Sequence, residues 1–127
     1  MPKTVLIADD SPAFRQLEGE YLTKRGLALL YAEDGLQAAK IALEARPDLI
    51  LLDIQMPVMD GVQALALLKS QPTTKDIPVI VITTLGHPNV TILKRAGAAD
   101  VLCKPVRATE LWNAIEPFVT EGWRPRS

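Results

Sequence analysis

Three carboxylates, a hydroxyl and an ammonium stand at the ends of four separate apolar runs in this chain. Asp9-Asp10 follow "TVLIA", Asp53 follows "DLILL", Thr83-Thr84 close "PVIVITT", and Lys104-Pro105 follow "DVLC". Gathered in one crevice, three carboxylates repel, so either some hold protons or a cation neutralises them. A hard divalent cation is the economical solution. With oxygen donors and no His or Cys nearby, Mg2+ fits better than zinc, and a shallow site with few protein ligands suits an ion that keeps several waters. Its remaining positions suit an anion, most simply phosphate oxygens, for which Lys104 supplies charge and Thr83 a donor. That is equipment for phosphoryl transfer, with Asp53 as a carboxylate nucleophile.

Such a set works only if the fold brings the four run ends together. The apolar runs at 4–8, 28–32, 48–52, 78–83 and 100–103 are near-continuous rather than alternating, the pattern of strands buried on both faces. Between them lie helical stripes: Phe14, Leu17, Tyr21 and Leu22 after a Ser11 cap and Pro12; Leu36, Ala39 and Leu43; Ala64, Leu65 and Leu68 after Asp60-Gly61. A short fourth helix is expected in "NVTILKRA", stopped by Gly97, and a fifth carries Leu111, Ala114, Ile115 and Phe118 at i, i+3, i+4, i+7. Five βα units dictate an α/β fold with a parallel sheet and right-handed crossovers. In open parallel sheets the functional crevice lies at the carboxyl ends of the strands, where all these residues fall.

At 127 residues and 48% hydrophobic, the chain suits one domain with one sizeable core. A formal net charge of -1 leaves no basic face for nucleic acid. The single cysteine, Cys103, excludes an internal disulfide framework and a multi-Cys metal site; it is expected to be a small buried residue of its strand, in a reducing cytosol. Neither a leader with an apolar region and cleavage site nor a run of ~18 apolar residues is present, so a soluble cytoplasmic protein is expected. The tail "TEGWRPRS" reads as unstructured.

"LIADDS", "LILLDIQMPVMDG", "PVIVITT" and "CKPV", in this order and at these separations, resemble the receiver domain of two-component response regulators. The resemblance runs from about Lys3 to Phe118 and implies a flavodoxin-like three-layer fold with strand order 2-1-3-4-5. We therefore expect a receiver domain over 1–120, with 121–127 a flexible tail or the start of a linker. The resemblance makes Asp53 the phosphoacceptor, Asp10 a direct Mg2+ ligand, Asp9 its neighbour acting largely through water, and the Gln55 carbonyl the remaining protein ligand. Thr83 becomes the switch hydroxyl, Lys104 the phosphate-pairing lysine, and Lys104-Pro105 a cis bond.

The implied function is a signalling switch: Asp53 takes a phosphoryl group from a sensor histidine kinase or phosphotransfer protein, and the chain catalyses its own phosphorylation and dephosphorylation rather than turning over a separate substrate. The expected readout face, toward a downstream protein or output domain, is the fourth helix, fifth strand and fifth helix, near Ile92, Lys94, Val101 and Trp112. An alternative is a Mg2+-dependent small-molecule phosphatase working through an aspartyl phosphate. It would need a second acid two positions after the nucleophile, where Gln55 stands.

Some positions depart from the family's commonest pattern. Val101 occupies the place of a rotating aromatic, and Thr84 is larger than usual, which would shield an acyl phosphate from water. The segment from Thr83 to Gly97 is short. His87, the only histidine, is expected to be a loop residue without a catalytic role, and Met56 and Met59 to be packing residues.

Overall fold

The computed structural model describes residues 3–54, 61–84 and 90–119, with Thr84 described by its backbone alone. Ten elements alternate: β1 (Thr4–Ala8), α1 (Pro12–Thr23), β2 (Ala28–Ala32), α2 (Gly35–Ala45), β3 (Leu49–Asp53), α3 (Gly61–Ser70), β4 (Val79–Thr84), α4 (Val90–Arg95), β5 (Asp100–Lys104) and α5 (Ala108–Val119). The strands form one parallel sheet in the order β2-β1-β3-β4-β5. This is the doubly wound α/β architecture that the sequence predicts. The tail from 120 onward, including its expected flexibility, lies outside the described residues.

Side chains alternate across a strand, so each run feeds two cores. Val5, Ile7, Leu49, Leu51, Ile80 and Ile82 point to one face, where α1 contributes Leu22 and α5 contributes Leu111 and Ile115. Leu6, Ala8, Ile50, Leu52, Val79 and Val81 point to the other, under Ala38 and Ala42 of α2, Ala64, Leu65 and Leu68 of α3, and Leu93 of α4. Each large side chain buried this way contributes roughly 1.5–3 kcal/mol of transfer free energy. That makes the three inner strands a rigid platform for whatever sits at their ends.

The helix ends follow their local chemistry. The Ser11 hydroxyl accepts the Phe14 backbone N–H at 3.3 Å and Pro12 opens α1. Asp34 caps α2 by accepting the Gln37 N–H at 2.7 Å. Gly97, at φ +117°, ends the short helix α4 as expected.

Three expectations need correction. Cys103 is exposed: β5 is an edge strand, and the six-residue α4 is too short to cover all of it. In α2 the buried face is Gly35, Ala38, Ala39 and Ala42, while Leu36 and Leu43 are exposed. The stripe there is one of small residues, which allow the helix to lie close to its neighbours. In α1 the buried residues are Glu18, Gly19 and Leu22, and Leu17 points outward at 67% exposure. On that face Gly19 meets the hydroxyl of Tyr31 on β2, the tip of a half-exposed side chain. The helix is turned with its one glycine against that tyrosine, and Glu18 is carried inside.

Candidate functional site

Asp9 and Asp10 follow β1, Asp53 ends β3, and their carboxylate oxygens come within 4.8 Å of one another. Asp9 and Asp53 continue the strand alternation that sends Val5, Ile7, Leu49 and Leu51 toward α1 and α5. Both are buried, and Asp10 is exposed. Lys104, at the end of β5, comes to the same face with Leu102. Its Nζ lies 3.1 Å from Asp53 Oδ2 and 3.6 Å from Asp9 Oδ2, and 4.4 Å from the centre of the Phe14 ring of α1. An ammonium over an aromatic face gains cation–π attraction, so Phe14 supports Lys104 from behind. The Lys104–Pro105 bond is cis.

Thr83 lies at the end of β4, on the opposite parity with Val79 and Val81, and is fully buried. Ile82 pairs with Asp53 in the sheet, which places Thr83 one residue further toward the carboxyl edge.

Local hydrogen bonds fix Asp9. Its Oδ1 accepts the Ser11 N–H at 2.9 Å, and its backbone carbonyl accepts from Arg15 Nη1 at 2.5 Å. Burial nonetheless raises the Asp9 pKa; the Ser11 N–H works against it, and the neighbouring Asp53 and Asp10 charges add to it more than Lys104 offsets. Burial would lower the Lys104 pKa, but hydrogen bonding and charge from Asp53 and Asp9 outweigh this and hold it above the ordinary lysine value. One ammonium therefore does not settle three carboxylates. The donors are all oxygen and lie within 4.8 Å of one another, which fits a hard divalent cation.

The far end of the β3–α3 connection is pinned to the same strand. The Gly61 N–H donates to the Ile54 carbonyl at 2.7 Å, and a Cβ on Gly61 would strike the carbonyl oxygen of Asp53 and the Cα of Ile54. Both obstacles are backbone and cannot rotate away. Gly61→Ala is expected to cost about 1–3 kcal/mol of stability by overpacking, read as a lower urea midpoint at unchanged slope. An unchanged midpoint would show that the turn yields without cost.

Of the residues singled out in the sequence, the structure brings together Asp9, Asp10, Asp53 and Lys104. Gln55, Met56, Met59, His87 and the Thr84 side chain lie outside the described residues. Val101 packs half-buried against the core on the α4 side, and Trp112 is half-buried on the α5 side, 4.6 Å from the Arg25 guanidinium that also stacks on Tyr21. Sequence reading missed two neighbours of the lysine, Phe14 as its aromatic support and Glu18 as a buried acid. Both lie on α1 at i, i+4, and Glu18 interrupts the apolar stripe between Phe14 and Leu22. That interruption is the signal in the sequence.

Comparison with known proteins now decides the family. The family model described as "Response regulator receiver domain" matches residues 5–116. The chain belongs to this family. The receiver domain is 38% identical over 112 residues to Protein PilH of Pseudomonas aeruginosa, covering 87% of this chain and 93% of that one. Its fold superposes with a TM-score of 0.87 and 32% identity on the receiver domain of a histidine kinase from Syntrophus aciditrophicus, covering 98% and 96% of the two chains. It also matches the receiver domain of sensor histidine kinase PA1611 from Pseudomonas aeruginosa with a TM-score of 0.85 and 27% identity, covering 94% and 98%; that structure holds a magnesium ion in its active-site cleft. Receiver domains are phosphoacceptors, and this one carries the acidic cluster for that task. No helix among the described residues is long and apolar enough to cross a membrane.

Proposed function

We propose that Asp53 accepts the phosphoryl group, from a phosphohistidine on a sensor histidine kinase or phosphotransfer protein, and that the added charge shifts the domain between two states. The observation that carries this reading is the Lys104 ammonium 3.1 Å from Asp53 Oδ2 beside two further carboxylates. Asp9, Asp10, Asp53 and the backbone carbonyl of Gln55 would hold Mg2+, which supplies positive charge for the carboxylates and for the incoming phosphoryl oxygens.

The chain's own groups do the rest. An Asp53 oxygen attacks phosphorus in line as the bond from phosphorus to the donor breaks, its electron pair leaving with the donor. The inner strands hold Asp53 rigidly, so little ordering remains to be done at the moment of attack. Lys104 passes from the carboxylate to the phosphoryl oxygens, and the Thr83 hydroxyl donates to the same group. A phosphoryl group carries about -1.5 to -2 charges, so each such contact that exists in only one state biases the switch. A differential of ~1.4 kcal/mol shifts the two populations tenfold. Reversal is attack of water on the acyl phosphate, which returns the carboxylate and releases phosphate.

The face read by a downstream protein or output domain is α4, β5 and α5, on which Ile92 stands 61% exposed near Lys94, Val101 and Trp112. The setting is the cytoplasm, where such kinases present their phosphohistidine.

Acetyl phosphate tests the reading. With Mg2+ the intact mass should rise by one phosphoryl group, and borohydride reduction of the acyl phosphate should convert Asp53 to homoserine. Chelation of Mg2+ with EDTA should remove the increment. An increment that survives EDTA, or that maps to another residue, would overturn the assignment.

A further inference from the structure

Behind Lys104 lies an acid that the phosphoryl chemistry does not use. Glu18 is 6% exposed and its Oε2 has no hydrogen-bond partner. It borders a cavity of about 120 Å³ between α1 and the start of α5, walled by Phe14, Leu17, Tyr21, Val106, Ala108 and Leu111. Every charge that bears on it belongs to the site: Asp9 from the end of β1, Asp53 from β3 and Lys104 from β5. The β5–α5 turn and α5 present only Val106, Ala108 and Leu111. On α1 the single polar neighbour in the cavity is the Tyr21 phenol, which already accepts from Arg25 Nη2 at 2.7 Å.

A buried carboxyl without a donor favours its uncharged form. Glu18 is also one helical turn from Phe14, so their Cβ atoms lie about 5–6 Å apart on the same side of α1. The Lys104 ammonium rests on that Phe14 ring. We infer that Glu18 is a positioning residue for Lys104: uncharged, it leaves the ammonium on Asp53, and once it loses its proton it draws the ammonium across Phe14 toward the α1–α5 cavity, turning down phosphoryl uptake. The inference rests on the reading of Asp53 as acceptor and Lys104 as its partner.

Desolvation, reinforced by the charge of Asp9, pushes the Glu18 pKa up to about 8. Its uncharged fraction then falls roughly tenfold from pH 7 to pH 9. At one fixed free Mg2+ concentration, the initial rate of phosphoryl uptake from acetyl phosphate should fall over that interval in the natural chain. In Glu18→Gln, which keeps the shape and cannot ionise, the profile should be flat from pH 7 to 9. Glu18→Leu serves as the second non-ionising variant should the amide fail to fold, and should be flat as well.

Uptake by the natural chain that stays level to pH 9, or that falls equally in the natural chain and in a non-ionising variant, would overturn the role of Glu18. Both results leave Asp53 as acceptor intact. Absence of uptake in the natural chain at every pH would instead overturn the reading beneath it.

Discussion

Asp53→Asn should lose the phosphoryl increment entirely, with uptake slowed by at least about a thousandfold, or ~4 kcal/mol in the barrier. The amide is nearly the same size, so the strand end and its pairing with Ile82 are expected to survive. What disappears is the anionic oxygen that attacks phosphorus. Asp9 does not replace it: it is buried, it spends Oδ1 on the Ser11 N–H, and its pKa is raised. Among the described residues of the cluster, Asp10 is the exposed carboxylate left to take up any residual reaction. Intact mass after acetyl phosphate treatment, with far-UV circular dichroism as the check on folding, gives the answer. An undiminished increment in a folded variant would remove Asp53 from the mechanism.

Glu18→Leu should stabilise the domain near neutrality while removing part of its pH dependence. An unfolded glutamate titrates at 4.5 and the folded Glu18 at about 8. Between these values the folded state keeps a proton that the unfolded state has released, so stability falls as pH rises through the window and stays low above it. At pH 7 the loss is of order 3 kcal/mol for a shift of this size. Asp9 is shifted in the same direction and adds a slope of the same sign, so the informative quantity is the difference between the two proteins. Urea unfolding from pH 5 to pH 8 should show that difference growing in favour of the leucine variant. A constant difference would mean that Glu18 is ionised in the folded state throughout.

The fold was legible because its signals are periodic. Five near-continuous apolar runs separated by helical stripes allow few topologies, and the strand ends then name the crevice. Asp9, Asp10, Asp53 and Lys104 could be read for a related reason: strand ends converge whatever the helices do. The environment around Lys104 could not, because it depends on the rotation of α1. Periodicity gives nearly equal claims to a face through Leu17 and one through Glu18. The choice is made by how α1 packs on the sheet, with Gly19 beside Tyr31 of the edge strand, and local sequence does not encode that packing. The same limit explains α2, where alanines rather than leucines face inward, and Cys103, whose exposure follows from the shortness of α4 rather than from its own run.

The order of the strands along the chain has a consequence for biosynthesis. The acidic cluster is complete once β3 has emerged, yet its cation comes from the end of β5, 51 residues after Asp53. A nascent chain whose fifth strand is still in the ribosomal tunnel has its carboxylates without the ammonium that lies 3.1 Å from Asp53 Oδ2 in the folded domain. With Lys104 as the phosphoryl partner, competence to receive a signal waits until β5 has joined the folded sheet.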